Sequence, residues 1–176
     1  EQIIPEKDDA YGYIWRSAIE DHPQNTSRED AREALISGLR DVLLIYAQTE
    51  DASSLLLELL NSSRWIIKRI VLHVFNVHFQ KYSVLSQKLI MENLTDLFSK
   101  SNYHHEFFEL LRSHFKDFTE DNQRKIIETI SGLVPQWPDN VPGDEREGLN
   151  KGIRLRWFLA IYGSGYSLPP TLIKEY

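Results

Sequence analysis

The sequence predicts an all-α fold of stacked antiparallel helix pairs, with about seven or eight helices in an α-solenoid or an irregular helical bundle. The stretch Ser62–Tyr82 carries two neighbouring apolar stripes at helical spacing, which is typical of a helix buried on more than one side. No stretch alternates apolar and polar residues between hairpin turns, so a β-sheet has no support. Helix starts near Ser27, Ser63 and Asn102 recur after roughly 35 to 40 positions, which is the range of two-helix repeats.

The composition is that of one ordinary globular domain, and we predict a single α-helical domain over residues 1–176. The formal net charge of −6 does not favour nucleic acid or an anionic membrane as a partner, although a local basic patch could override that average. Because the chain has no cysteine, disulfides and cysteine-bound zinc are excluded, which fits the cytoplasmic location that we predict.

No targeting segment is visible in the sequence. The first residue is Glu1, and the opening EQIIPEKDDA lacks the basic start and apolar core of a secretion signal. The longest apolar runs, at 55–60 and 65–75, are interrupted by charge well short of the roughly 20 residues needed to span a bilayer. We therefore expect a soluble chain with no membrane partner. The start without Met and the abrupt end at IKEY lead us to expect a segment of a larger protein.

The stretch Ser62–Tyr82 is predicted to be the central helix. Arg64, Lys68 and Arg69 are confined to its first turns, so its middle is apolar and only neighbouring helices can cover it. The two stripes are formed by Ile66, Ile70, Val74 and Val77, and by Ile67, Val71, Phe75 and His78.

Three helices are predicted before the central one. Residues Asp8–Asp21 form a short helix, and a capping box at Thr26–Glu29 starts a long one. Residues Asp51–Leu60 form a second short helix that pairs with the central helix. The long helix is expected to bury one face, made by Leu35, Leu39, Val42, Leu43 and Tyr46.

Three more helices are predicted directly after the central one. The first begins near Ser83 or Ser86 and stops at 99–102, where Asn102 caps a helix over Tyr103–Phe118. Thr119 starts the third. Their core-facing positions are Leu85, Leu89, Ile90, Leu94, Leu97, Phe98, Phe107, Leu111, Phe115, Phe118, Ile126, Ile127, Ile130, Leu133 and Val134.

The C-terminal part is divided by proline and glycine. Three prolines within 132–143 predict a loop, because helix cannot pass through them. A final helix is predicted over Asp144–Tyr162. Residues 163–176 are predicted to be a tail or linker that either packs as an extended strap or leads to a following domain. The core-facing positions of the last helix are Leu149, Ile153, Trp157, Ala160 and Ile161.

The segment SLLLELLNSSRWIIKRIVLHVF resembles the HEAT and Armadillo-type helical repeats. Leu59 and Leu60 supply the Leu-Leu end of a first helix, 61–64 the polar turn, and 68–70 the basic-aliphatic start of the second. The resemblance implies a protein-interaction or scaffolding module, and such repeats also occur as segments of large bacterial multidomain proteins. It extends in broad layout to helical-repeat DNA glycosylases, which would additionally need a carboxylate beside aromatic residues in a basic groove.

The sequence contains none of the strong catalytic, nucleotide-binding or metal-binding motifs, so we predict no catalytic residue, no cofactor and no metal site. The best metal candidates are His104 and His105 with Glu109, because His105 and Glu109 lie at i and i+4 on one helix face. We interpret these residues as a polar first helical turn. His73 and His78 are five positions apart and fall on different faces, so they do not form a ligand pair.

Two groups of basic and aromatic residues are the candidate partner-binding surfaces. One lies on the central helix and the other on the last helix. A structural role in inter-helix ion pairs or a protein partner is favoured, because acidic residues are in excess elsewhere in the chain. The alternative is nucleic acid, held through phosphates and stacking. The candidate residues are Arg64, Trp65, Lys68 and Arg69 on the first, and Lys151, Arg154, Arg156 and Trp157 on the second.

Overall fold

A computed structural model of the chain describes residues 18–22, 25, 31–138 and 140–175, with side chains to residue 172. Over these residues the fold is all-α, as predicted, with nine α-helices, two 3-10 turns and no strand. In that same part of the chain, no helix is long and apolar enough to cross a membrane. The α-helices are α1 Ala31–Thr49, α2 Ser53–Leu60, α3 Trp65–Val77, α4 Phe79–Glu92, α5 Leu94–Ser99, α6 His104–His114, α7 Glu120–Ser131, α8 Gly143–Gly163 and α9 Pro170–Glu175.

Helix α3 is the central helix, as predicted. It packs against α1, α2, α4 and α6, and α6 also packs against α8. Ile70, Val71, Val74 and Phe75 are fully buried. The prediction of one continuous helix to Tyr82 is wrong, however. His78 leaves the helical conformation with φ −112° and ψ 33°, and its ring donates to the Leu44 carbonyl oxygen at 3.0 Å, so the chain changes direction before α4.

Helix α1 buries a different face from the predicted one. Leu43 is buried, but Leu35 is 75% exposed and Val42 is 63% exposed, so the prediction is wrong for these two positions, and Tyr46 is exposed as well. Arg40 is buried on the inner face of α1, where its guanidinium donates to the carbonyl oxygen of Ile19. Because the charged residue takes the inner face, the apolar residues beside it turn outward.

The predicted helix after the central one is divided into α4 and α5. Asn93 separates the two with φ −115° and ψ 15°, and its side-chain amide donates to the Leu89 carbonyl oxygen at 2.9 Å. Such local side-chain bonds compete with the helical hydrogen-bond ladder. The core positions Ile90, Leu94 and Leu97 are buried as expected.

Helices α6 and α7 follow the prediction except at the start of α6, which begins at His104 without a side-chain cap, so the predicted cap at Asn102 is wrong. Residues 101–103 and 115–117 form 3-10 turns at the two ends of α6. The Thr119 hydroxyl accepts from the Asn122 N–H at 3.4 Å, so the predicted N-cap of α7 is confirmed. Val134 lies beyond the end of α7 and is exposed, contrary to its predicted core position. The buried apolar side chains of these two helices and of the turn between them are Phe107, Leu110, Leu111, Phe115, Phe118, Ile126 and Ile130.

The C-terminal part follows the prediction with one addition and one correction, because Leu149, a predicted core position, is 43% exposed. The described residues between α7 and α8 are not helical, and α8 buries Trp157, Ala160 and Ile161. Gly165 has φ +83°, a conformation that favours glycine, and it ends the helix. The tail is not extended throughout, because a short helix begins at Pro170, the residue type suited to a first helical position.

The N-terminal predictions fall largely outside the described residues. Of the predicted helix over Asp8–Asp21, only Ala18–Asp21 is described, and these four residues are not helical. The capping box at Thr26–Glu29 lies outside. Ala18 and Ile19 are nevertheless completely buried.

Candidate functional site

A buried ion pair joins the central helix to α6. Arg69 Nε lies 2.6 Å from Glu106 Oε2, and Arg69 Nη2 lies 2.7 Å from Glu106 Oε1, so the contact is bidentate. Both side chains are only 1% exposed. Glu106 Oε1 also accepts the Ile19 N–H at 3.1 Å. One carboxylate therefore ties together three separate parts of the chain.

The segment Ala18–Asp21 is held from both sides by polar groups. Arg40 Nη1 donates to the Ile19 carbonyl oxygen at 3.0 Å and to Asp21 at 2.8 Å. The Asn25 side-chain amide donates to the carbonyl oxygens of Ala18 at 3.1 Å and Glu20 at 2.9 Å. These bonds fix the backbone that carries the Glu20 side chain.

Glu20 meets two histidines from different helices. His105 Nε2 lies 2.6 Å from Glu20 Oε1, and His73 Nδ1 lies 3.9 Å from Glu20 Oε2. We call Glu20, His73, His105 and Glu106 the Glu20 cluster. Burial acts to raise the pKa of Glu20, but the hydrogen bond with His105 and the nearby imidazoles outweigh it and lower that pKa to about 2. The same hydrogen bond raises the pKa of His105 above its usual value, against the effect of burial.

These shifts predict a pH window for the metal-free protein. The stabilisation from Glu20 is present above its ordinary pKa of 4.5 and lost as the pH falls towards about 2. The stabilisation from His105 is present below its ordinary pKa of 6.5 and lost as the pH rises through its higher folded value. Glu106 and Glu109 add to the attraction for a charged His105.

The difference in free energy of unfolding between the parent chain and Glu20→Gln is therefore expected to be largest at about pH 5.5. Urea unfolding of both chains across the pH range measures it. A difference that stays constant from acidic to alkaline pH would show that the two side chains are not coupled in this way.

The sequence-predicted metal candidates do not come together as a set. The His104 ring points elsewhere, with Nε2 2.9 Å from the Phe98 carbonyl oxygen, and Glu109 pairs with Arg112 at 3.0 Å. His105 instead meets Glu20, which lies 85 positions earlier. Helical spacing could not indicate this partner, because spacing relates only residues of one helix.

The basic and aromatic candidates are divided between the interior and the surface. Arg69 and Trp65 are buried, with the guanidinium carbon 5.6 Å from the Trp65 ring centroid. On α8, Arg154 is buried and donates to the Leu133 carbonyl oxygen at 3.0 Å. Arg64 and Lys68 are half-buried, and Lys151, like Arg156, is exposed.

Lys68 lies on the wall of a groove between four helices. The groove has a volume of about 280 Å³, and we call it the α2–α5 groove. Its lining is about half apolar, and most of its polar residues are exposed. The apolar residues are Leu57, Leu60, Leu72, Phe75, Leu89, Ile90 and Leu97, and the polar ones are Asn61, Lys68, Glu92, Asn93, Asp96 and Tyr103.

Comparisons with protein-family models, with curated proteins and with solved structures found no match to this chain. The resemblance to HEAT and Armadillo repeats therefore stays a prediction. The function is inferred from the geometry of the chain itself.

Proposed function

We propose that this chain is a non-catalytic protein-interaction module of helical-repeat type, which binds an aliphatic, acidic segment of a partner protein in the α2–α5 groove. The observation that carries the proposal is the combination of aliphatic side chains with Lys68, which among the described residues is the cation that lines the groove. Leu57 and Leu72 contribute apolar surface from two different helices, so an inserted side chain would contact both.

The charges at the rim favour a carboxylate on the partner. Asp96 pairs with Lys100 at 2.5 Å, and Glu92 lies 4.0 Å from Lys88, so both acidic groups already have a cation nearby. Lys68 has no ion-pair partner among the described residues. A partner carboxylate would supply the missing counter-charge, and rim charges of this kind chiefly set specificity and association rate.

The nucleic-acid alternative loses part of its support from burial. The guanidinium groups of Arg69 and Arg154 are buried and donate hydrogen bonds to acceptors within the chain. Trp65 is buried as well, so it has no exposed face on which a base could stack. Binding of a generic duplex or single strand that weakens with rising salt and with Arg64→Ala would favour that alternative.

Lys68→Glu is expected to weaken binding of groove-selected peptides by about tenfold, which corresponds to roughly 1.4 kcal/mol. A displayed library of random peptides, selected on the parent chain, should enrich sequences that combine aliphatic residues with Asp or Glu. Their dissociation constants are then measured by fluorescence polarisation on both chains.

Lys125→Glu is the matched control, because Lys125 is an exposed lysine on α7 that does not line the groove. It should leave the affinity within about twofold of the parent. Replacing the acidic residue of a selected peptide by Lys should restore binding to Lys68→Glu. Enriched peptides without acidic residues, or equal affinity for both variants, would overturn the proposal.

A further inference from the structure

The Glu20 cluster brings metal-ligand chemistry together from three parts of the chain. One ligand atom each from Glu20, His105 and Glu106 can be chosen so that all three lie within 4.8 Å of one another. His73 Nδ1 lies 3.9 Å from the second oxygen of Glu20. We propose that Glu20, His105 and Glu106, with His73 as a fourth donor, form a binding site for Zn²⁺.

The donor set selects the ion. Imidazole nitrogen and carboxylate oxygen are common ligands of zinc, whereas magnesium and calcium prefer oxygen alone. Glu20 and His105 are each about one-third exposed, so solvent and a hydrated ion reach the site. Three protein ligands would leave a coordination position for water or for His73.

The charge balance of the cluster favours a cation. Glu20 and Glu106 carry two negative charges, and Arg69 compensates one of them. Arg69 and the Ile19 N–H also hold the Glu106 carboxylate in a fixed orientation. Groups that orient a metal ligand in this way contribute to affinity. With neutral imidazoles, the cluster and Arg69 together carry one net negative charge, which favours a cation.

The contact between His105 and Glu20 shows how the ion would enter. Their 2.6 Å separation is bridged by one proton. Zn²⁺ takes the place of that proton, which is released to solvent, and His105 Nε2 and the Glu20 oxygen both turn to the metal. No covalent bond of the chain forms or breaks.

The test is Zn²⁺ binding by the chelator-treated chain, measured by competition with a chromophoric chelator and by the shift in Tm. Glu20→Gln and His105→Ala are expected to weaken Zn²⁺ binding by roughly 10- to 100-fold. In the parent, Zn²⁺ raises Tm, since a ligand that binds only the folded chain stabilises it.

Glu109→Gln is the matched control. It removes a carboxylate from the same helix as His105 but leaves the Glu20 cluster intact, so its affinity for Zn²⁺ should equal that of the parent. Each variant is compared with its own metal-free Tm after circular dichroism has shown it to be folded. The proposal is overturned if the parent fails to bind Zn²⁺, or if Glu20→Gln binds it as tightly as Glu109→Gln does. Because Glu20, His105 and Glu106 do not line the α2–α5 groove, this outcome is independent of peptide binding.

Discussion

Replacing Arg69 by methionine is expected to lower the free energy of unfolding by about 3–5 kcal/mol, because it leaves the Glu106 carboxylate buried without its counter-charge. Methionine fills much of the same volume, so the loss reports on the charge rather than on a cavity. Chemical denaturation with urea, followed by circular dichroism, measures the change.

Arg112→Met provides the comparison on α6. Arg112 pairs with Glu109 at 3.0 Å, but its side chain is 56% exposed, so the ion pair is solvated. Arg112→Met should therefore lower the free energy of unfolding by less than about 1 kcal/mol. Equal destabilisation by the two substitutions would mean that the Arg69 pair is no more important than a surface contact.

Trp157→Ala is expected to lower the free energy of unfolding by about 3–5 kcal/mol, since it removes a large side chain from a closely packed aromatic cluster. The Trp157 ring is 1% exposed. Its centroid lies 4.9 Å from that of Phe98 and 5.6 Å from that of Phe107. These residues belong to α5 and α6, so the cavity would open between three helices.

Tyr162→Ala is the matched substitution for Trp157→Ala, because Tyr162 lies on the same helix and is 66% exposed. It should change stability by no more than about 0.5 kcal/mol. Urea unfolding, with the near-ultraviolet circular dichroism of the aromatic side chains as a second signal, distinguishes the two. Comparable losses would contradict the assignment of Trp157 to the core.

Features of the fold that depend on neighbouring residues could be predicted from the sequence. The Thr119 cap and the proline loop at 132–143 are set by residues within one or two turns of the chain, and both are observed. The aromatic core around Phe107 follows from helical periodicity. Caps, proline breaks and helical periodicity depend on residues that are close in sequence, so they do not depend on which other helices a helix packs against.

Features that depend on distant partners were missed. Arg69 was assigned to a candidate partner-binding surface, and nothing in the sequence indicated a buried role for Arg40, because a cation on a helix is usually solvated unless it is paired. Their partners lie far away in sequence, Arg69 bonding to a residue 37 positions later and Arg40 to one 21 positions earlier. The helix break at His78 also involves a distant partner, since the His78 ring bonds to the carbonyl oxygen of Leu44 on another helix.

The candidate sites show the same division. Lys68 could be identified from the sequence, because a basic residue beside an apolar stripe is visible in the helical pattern. In the structure it lines the α2–α5 groove. Glu20 was not identified as a site residue. It became a candidate only when the fold placed it against His105, across 85 positions of sequence.

The central claim is that α3 and α6 form the middle of the fold and are joined by the pair of Arg69 and Glu106. A double-mutant cycle with Arg69→Met and Glu106→Leu tests it most directly, by urea unfolding of the parent, the two single variants and the double variant. We predict that the double variant is more stable than the sum of the single losses requires, by about 1–3 kcal/mol, because each single substitution leaves one unpaired buried charge. The double variant is still expected to be less stable than the parent, because the Ile19 N–H loses its acceptor on Glu106. Losses that simply add would contradict the pairing of these two side chains.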